Sequence, residues 1–175
     1  PECFRIVMAA NQPGEVASRQ GPRVVADAGY DDARRYDLLL VPGGRGTRTQ
    51  VNNPVLLDWL RARAAAASIV TSVCTGSGLL AKAGLLDGLR ATSNKRAFEW
   101  AEAQSERVRW VREARWVEDG RFFTSSGVSA GIDMSLAVIG KLLGDQRARD
   151  FAAWAEYEWN EEAGRDPFAG PHDGV

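Results

Sequence analysis

The sequence has little of what most cysteine and metal sites require. Among its 175 residues it contains one histidine, His172, and two cysteines, Cys3 and Cys74. A single histidine removes the usual base of a cysteine–histidine pair and disfavours a zinc site of histidine and cysteine ligands. Two cysteines in different contexts are too few for a disulfide scaffold. We therefore expect neither a metal nor a cofactor.

Long apolar runs and an excess of charge of one sign are also missing. The formal net charge is −1, from 22 Lys and Arg against 23 Asp and Glu. This balance gives no field that would attract nucleic acid or an anionic membrane, and no segment approaches the roughly 20 apolar residues of a membrane helix. The short basic spot Lys95-Arg96 is interpreted as solvated helix surface. No signal-peptide pattern opens the chain, so we expect a cytoplasmic protein without nucleic-acid or membrane partners.

Segments typical of strands and of helices alternate along the chain, which predicts one α/β domain with a mostly parallel sheet. A hairpin is expected in residues 16–28, around Gln20-Gly21-Pro22, and a second one at Asp119-Gly120. The other strands are predicted at residues 4–10, 37–41 and 68–73, the strand at 37–41 being covered on both faces. Helices are predicted after an Asn53 cap, at 76–83, at 96–104, at 130–143 after a Ser129 cap, and at 145–163.

The most informative segment surrounds Cys74. An apolar strand ends at this cysteine and small residues open a helix directly after it, with Ser72 and Gly76 two positions to either side. A nucleophile elbow needs this arrangement because its turn is sharp and strained. The start of a helix also stabilises a thiolate, and the N–H of Thr75 would point towards a developing oxyanion. A buried structural cysteine is the alternative.

A second segment, Val41-Pro42-Gly43-Gly44-Arg45-Gly46, also follows a buried strand. It should therefore lie at the same edge of the sheet as Cys74, where ligands of open α/β sheets bind. Gly43 and Gly44 would let backbone N–H groups approach a substrate and complete an oxyanion hole. A dinucleotide fingerprint fails here, because Thr49 stands in place of the third glycine and no acid follows about 20 residues on.

A third segment, Phe123 to Asp133, brings further small hydroxyl residues to a strand end and a helix start. Ser126 and its neighbours could contact a small substrate, or they could be cap and turn residues. Asp133 is interpreted as a dipole and packing residue of the first helical turn. Trp100 and the other tryptophans are interpreted as core or subunit-interface residues.

These segments together resemble the ThiJ/PfpI superfamily, the class I glutamine-amidotransferase-like group. The resemblance rests on Asp37-Leu-Leu-Leu-Val-Pro-Gly-Gly44, Ser72-Val-Cys-Thr-Gly-Ser-Gly-Leu-Leu80, residues 83–92 and residues 124–133, which occur in the expected order. The Val-Cys-Thr-Gly elbow looks most like the isonitrile hydratase branch and the ligand-sensing domains of AraC-type regulators. The resemblance implies a flavodoxin-like three-layer sandwich, a homodimer, Cys74 as nucleophile with Thr75 as its catalytic neighbour, and Gly43-Gly44 as the oxyanion loop.

The sequence departs from the superfamily pattern at two places. Asn94 stands near the position of a histidine that some relatives use, and asparagine cannot take a proton at neutral pH, which disfavours cysteine–histidine protease or amidase chemistry. Relatives also place an acidic residue beside the cysteine from the loop after their first strand. We expect residues 1–175 to form a single domain, with an N-terminal strand and helix that precede this sequence and supply that acid.

Two main functional hypotheses follow. The first is a small-molecule hydratase or hydrolase that acts through a Cys74 thiolate, as isonitrile hydratase would. The second is a redox or stress-sensing protein in which Cys74 is oxidised without turnover. A ligand-sensing domain of a regulator is a third possibility, and a peptidase or amidase is a fourth. In each enzymatic case, Gly43, Gly44, Asn94 and Ser126 would line the substrate site.

Overall fold

The computed structural model describes residues 3–18 and 21–170. Its elements within these residues are β1 Gly14–Ala17, β2 Arg23–Ala26, β3 Leu38–Val41, α1 Thr47–Gln50, α2 Pro54–Ala66, β4 Ile69–Val73, α3 Gly76–Lys82, β5 Arg90–Ala91, a 3₁₀ turn Lys95–Ala97, α4 Phe98–Glu102, β6 Arg109–Trp110, β7 Trp116–Asp119, β8 Phe122–Ser125, α5 Val128–Leu143 and α6 Asp145–Trp154.

The central sheet has four strands in the order β3-β4-β8-β7. Strands β3, β4 and β8 run parallel, with Leu39 opposite Val70 and Val70 opposite Phe122. Strand β7 joins antiparallel through the hairpin at Gly120, whose φ of 61° is left-handed, and this hairpin confirms the prediction from Asp119-Gly120. Because three strands are parallel, the segments that follow them all leave from one edge of the sheet. These are the segments that carry the predicted site.

Helices cover both faces of this sheet, as the alternation of side chains along β4 between two hydrophobic cores shows. Val70 belongs to a core with Leu60 of α2 and Leu80 of α3. Its neighbour Ile69 belongs to a second core, which contains Phe123 together with Met134 and Val138 of α5. Successive side chains of a strand point to opposite faces, so the two cores lie on opposite sides of the sheet. The predicted three-layer α/β sandwich is therefore confirmed.

The N-terminal part differs from the prediction. Residues 4–10 form no strand beyond a bridge between Ala9 and Ala28, because their backbone pairing is limited to hydrogen bonds of Met8 and Ala10 with Asp27 and Ala28. The hairpin of β1 and β2 is confirmed, although positions 19–20 of its turn lie outside the described residues. Strand β3 is an outer strand of the described sheet and Leu40 is 47% exposed, so the prediction that both faces of β3 are covered is wrong there. The additional N-terminal strand and helix stay a prediction.

Several helix boundaries also differ. The Asn53 cap of α2 is confirmed, since its side chain accepts hydrogen bonds from the N–H groups of Val55 and Leu56. Helix α5 instead begins after Gly127, and Ser129 lies inside its first turn rather than capping it. Helix α6 ends at Trp154 instead of 163, because Glu156 adopts a left-handed φ of 50° and the chain leaves the helix. Helix α1 and strand β5 were not predicted.

Within the described residues, none of the helices has the length and apolar character needed to cross a membrane.

Candidate active site

Cys74 lies on a strained turn between β4 and α3. Its φ of 58° is left-handed, a conformation that non-glycine residues seldom adopt. Hydrogen bonds hold both backbone polar groups of Cys74. Its N–H donates to the carbonyl oxygens of Ser125 (3.2 Å) and Ser126 (2.8 Å). The Cys74 carbonyl accepts from the hydroxyls of Ser77 (3.2 Å) and Ser93 (3.0 Å). Surrounding structure of this kind is what maintains a strained backbone, and such strain clusters at functional sites. This geometry is that of the predicted elbow.

Glycines let the neighbouring segments approach this turn closely. A Cβ on Gly43 would lie 2.6 Å from the Thr75 nitrogen and 2.8 Å from the Cys74 Cβ. A Cβ on Gly76 would collide with the carbonyl oxygen of Val41, and one on Gly131 would lie 2.7 Å from a methyl group of Val73. Real Cβ atoms do not approach other atoms this closely, so the loop after β3 can sit against the elbow only with glycine at positions 43 and 76, and α5 can approach Val73 only with glycine at position 131.

The hydroxyl of Thr75 joins the elbow to the loop after β3. Its Oγ1 accepts the N–H of Gly44 at 2.9 Å and lies 3.1 Å from the Thr47 hydroxyl, which also donates to the Gly44 carbonyl at 2.7 Å. The Gly44 N–H is thus engaged by Thr75, and an oxyanion would have to displace this bond. Among the described hydrogen bonds, none uses the N–H of Gly43 or Thr75. The oxyanion role of this loop stays a prediction.

Cys74 is half-buried and faces a cavity of about 500 Å³ lined by Gly44, Arg45, Arg48, Cys74 and Thr75. The predicted residues Cys74, Thr75 and Gly44 therefore meet at one cavity. Two further lining residues, Arg45 and Arg48, were missed from the sequence. They follow a glycine pair at the strand end that faces the elbow, and this position is the signal that could have identified them.

Arg48 is exposed at the rim of the cavity, and two contacts position its guanidinium group. Its guanidinium lies 3.8 Å from the ring centroid of Trp100, and its Nη1 donates to the Thr47 hydroxyl at 3.1 Å. Trp100 in turn packs on Gly78 of α3, where a Cβ would lie 2.5 Å from the indole ring. Trp100 packs against the main hydrophobic core, in agreement with its interpretation as a core residue, and it also supports the Arg48 side chain at the rim of the Cys74 cavity.

Asn94 and Ser126 lie on another side of the elbow. Ser126 is buried and its carbonyl holds the Cys74 N–H, while a Cβ on the adjacent Gly127 would lie 3.5 Å from the Asn94 amide nitrogen. Neither residue is part of the lining of the cavity as the described residues form it. Their predicted contact with a substrate stays a prediction.

Lys95, next to Asn94, is buried, and its interpretation as solvated surface is wrong. Its Nζ donates to the Thr92 hydroxyl (2.8 Å) and the Ala114 carbonyl (2.6 Å) and lies 3.8 Å from a carboxylate oxygen of Asp166. Burial lowers the pKa of Lys95 from 10.5 to about 8, and the Asp166 charge opposes this shift only in part. The neighbouring Arg96 is exposed, as predicted. A periodicity argument misses Lys95 because its cover comes from the distant C-terminal segment.

Asp133 is a fully buried anchor of the same C-terminal segment. Its Oδ2 accepts from the Arg115 guanidinium (Nε at 2.7 Å), and its Oδ1 accepts from the Tyr157 hydroxyl and the Asn160 N–H, both at 3.0 Å. Partial burial, followed by the hydrogen bond to Asp133, raises the pKa of the Tyr157 hydroxyl. These buried partners agree with the interpretation of Asp133 as a packing residue, but Asp133 lies beyond the first turn of α5, so its interpretation as a dipole residue of that turn is wrong.

Acid–base and metal-binding groups are scarce around Cys74. The cavity lining, as the described residues form it, contains no carboxylate and no imidazole. His172 lies outside the described residues. Within residues 3–18 and 21–170, no group of three histidine, cysteine or acidic side chains could hold a metal ion.

Comparison with known proteins identifies the family of this arrangement. The sequence profile of the DJ-1/PfpI family matches residues 2–141. This chain belongs to the DJ-1/PfpI family. A crystal structure of a ThiJ/PfpI family protein from Pseudomonas syringae superposes with a TM-score of 0.76 and 31% identity, covering 89% of this chain and 64% of that one. The predicted superfamily and the flavodoxin-like fold are thereby confirmed.

Two curated relatives carry different functions. Isonitrile hydratase of Pseudomonas putida is 36% identical over 142 residues, which are 81% of this chain and 61% of the enzyme. The HTH-type transcriptional regulator GbdR of Pseudomonas aeruginosa is 32% identical over 144 residues, 82% of this chain and 39% of the regulator. The chain thus spans about three fifths of the hydratase and two fifths of the regulator. Family relatives include both an enzyme and a regulator.

Proposed function

We propose that this protein is a cysteine-dependent hydratase of small isocyanides. The observation that carries the proposal is the elbow itself: Cys74 has a φ of 58° and faces a cavity in a chain that is 36% identical to isonitrile hydratase over 142 residues. A strained turn of this kind exposes a nucleophile at the end of a strand. Thr75, the next residue, holds the glycine loop over the same cavity.

The proposed reaction uses Cys74 as a covalent catalyst. The thiolate attacks the terminal carbon of R–N≡C, and that carbon takes up a proton to give a thioimidate, R–N=CH–S–Cys. Water then adds to the same carbon, the C–S bond breaks, and an N-substituted formamide leaves as the thiolate is regenerated. The N–H groups of Thr75 and Gly43 are free within the described hydrogen bonds to stabilise charge during these steps.

The proton donor is the part of the site that the five lining residues do not supply. None of them carries a carboxyl or imidazole group. We propose that an acidic residue from a segment before Phe4 takes this role, in agreement with the family resemblance. A chain that begins further upstream, with each acidic residue of that segment replaced by its amide in turn, would identify the donor by a loss of formamide production.

The direct test is formation of formamide from two alkyl isocyanides, one neutral and one that carries a carboxylate, followed by chromatography. We expect turnover by the protein and a loss of roughly a thousandfold or more in Cys74→Ala, because the nucleophile acts as one unit with the rest of the site. Cys3→Ser is the matched control and should leave turnover unchanged, since Cys3 lies outside the cavity lining. Turnover that persists in Cys74→Ala, or no turnover of either isocyanide by a chain that includes the proposed acidic residue, would contradict the proposal.

The relative GbdR favours a second candidate, a ligand-sensing domain. The matched region covers 82% of this chain but only 39% of the regulator, so the match lies within one part of a larger protein. In that case a small molecule would occupy the Cys74 cavity and would be released unchanged. Recovery of an unmodified ligand that binds equally well to Cys74→Ala would support this candidate against the hydratase.

Mass spectrometry distinguishes a redox sensor from the hydratase and from the ligand-sensing domain. Peroxide treatment that adds two oxygen atoms to Cys74, in a protein that makes no formamide, would favour a sensor.

We also propose that the protein forms a homodimer, as members of this family often do, and sedimentation velocity would test it. A monomer across the accessible concentration range would contradict that expectation.

A further inference from the structure

The electrostatics of the Cys74 cavity indicate which isocyanides, or other electrophiles, the site accepts. Two of its five lining residues are arginines, Arg45 and Arg48. Within the described residues, neither guanidinium has a carboxylate oxygen of the protein within 4.0 Å. The cavity therefore presents two cationic groups beside the nucleophile that no ion pair among the described residues neutralises.

The position of Arg48 is built into the fold. Its stacking on Trp100 at 3.8 Å and its hydrogen bond to the Thr47 hydroxyl fix the guanidinium from two directions. Trp100 is fixed because Gly78 of α3 leaves room for its ring. A surface arginine that only solvates the protein needs no such support. An arginine that is held in advance loses less conformational entropy when it binds an anion.

Guanidinium groups select planar anions. Each presents a rigid fork of N–H donors that matches a carboxylate, whereas a neutral amide or alkyl group gains nothing from the charge. We propose that the substrate of Cys74 carries a carboxylate, which Arg45 and Arg48 bind while the electrophilic carbon faces the thiol. This inference rests on the proposed role of Cys74 as nucleophile and adds the class of substrate to it.

The test compares two reagents of nearly equal size, iodoacetate and iodoacetamide. Both attach a carbon to the Cys74 sulfur and release iodide, but only iodoacetate carries a carboxylate. Because both react with the same thiolate, the ratio of their rate constants does not depend on how much thiolate is present. Rates are measured by mass spectrometry in the Cys3→Ser background, so that only Cys74 is counted.

We expect the ratio of iodoacetate to iodoacetamide rates to fall about threefold in Arg45→Gln and in Arg48→Gln and up to about tenfold in the double variant, as expected for unit charges a few ångströms apart near water. Raising the salt concentration should lower the ratio in the parent protein but not in the double variant, where screening weakens only the repulsion between iodoacetate and the thiolate. Arg147→Gln is the control: it removes the same charge from an exposed position on α6 and should leave the ratio unchanged.

A ratio that is the same in the parent, the double variant and Arg147→Gln would overturn the inference, even if isocyanides are hydrated. Conversely, a ratio that responds as expected without any formamide production would support the carboxylate site and reject the hydratase. If Cys74 does not react with either reagent, the protein is titrated with acetate and with acetamide while the Gly44 and Thr75 amide resonances are followed. Shifts with acetate alone that vanish in the double variant support the inference, and their absence overturns it.

Discussion

The left-handed backbone at Cys74 allows the strain of the elbow to be measured. At a φ of 58° a side chain costs about 1–2 kcal/mol, because the Cβ comes too close to the neighbouring carbonyl oxygen. Glycine avoids this cost. Cys74→Gly and Cys74→Ala both lack the thiol and differ by one methyl group. The difference between the free energies of unfolding of these two variants therefore contains two contributions: the backbone strain of the side chain at position 74, and the conformational entropy that glycine loses on folding.

The intrinsic cost is measured at a position without strain. Ala65 is an exposed residue of the right-handed helix α2, where Ala65→Gly should lower the free energy of unfolding by about 1 kcal/mol. At position 74, glycine relieves backbone strain of about 1–2 kcal/mol, which offsets its entropic cost of about 1 kcal/mol. Cys74→Gly should therefore be at least as stable as Cys74→Ala. The alanine-to-glycine change should thus be more favourable at position 74 than at position 65 by about 1–2 kcal/mol.

Urea denaturation followed by tryptophan fluorescence gives the four free energies, for the parent protein, Ala65→Gly, Cys74→Ala and Cys74→Gly. Equal slopes against urea concentration are required, since a changed slope would indicate a different extent of unfolding. If Cys74→Gly is less stable than Cys74→Ala by the same amount that Ala65→Gly costs, the elbow holds no strain and the reasoning is refuted.

Three further predictions concern the packing around the site. Gly76→Ala, whose Cβ would collide with a β3 carbonyl, should lower the free energy of unfolding by about 1–3 kcal/mol, whereas Gly46→Ala, with open space around it, should change it little in the same denaturation assay. Burial lowers the pKa of Lys95 from 10.5 to about 8, so its buried charge destabilises the folded state fully below pH 8. The free energy of unfolding, relative to that of Lys95→Met, should therefore rise by about 3 kcal/mol as the pH increases from 8 to 10.5. The absence of such a rise would mean that the ammonium group is well solvated. Asp133→Asn leaves the buried Arg115 charge uncompensated and should cost about 3–5 kcal/mol in urea denaturation, and a cost below 1 kcal/mol would show that the pair is dispensable.

Local patterns predicted those elements whose stability comes from nearby residues. The apolar runs at 37–41 and 68–73 form strands β3 and β4, and Asp119-Gly120 forms a hairpin, because each pattern matches one backbone conformation. Patterns failed where a distant contact decides. The last helix was predicted to continue to residue 163. Instead, the segment beyond Trp154 leaves the helix and donates two hydrogen bonds to Asp133, from the Tyr157 hydroxyl and the Asn160 N–H.

The candidate site shows the same division. The elbow at Cys74 could be identified from the sequence because a strand, a cysteine and small residues follow one another directly along the chain, an order typical of a sharp turn. Arg45 and Arg48 could not, since their importance depends on which side of the loop faces the elbow. The loop takes its position from the Thr75 hydroxyl and from the close approach of Gly43 to the turn.

By itself, the sequence determined the class of the fold, the family and the position of the cysteine elbow, since each depends on residues that are adjacent in the chain or repeat at a fixed period. Only the tertiary structure decided that Lys95 is buried beneath Asp166, that Asp133 anchors the C-terminal segment, and that the cavity of Cys74 is lined by two arginines. Burial and local charge are set by segments far apart in the chain, and their contacts exist only once the sheet has brought those segments together.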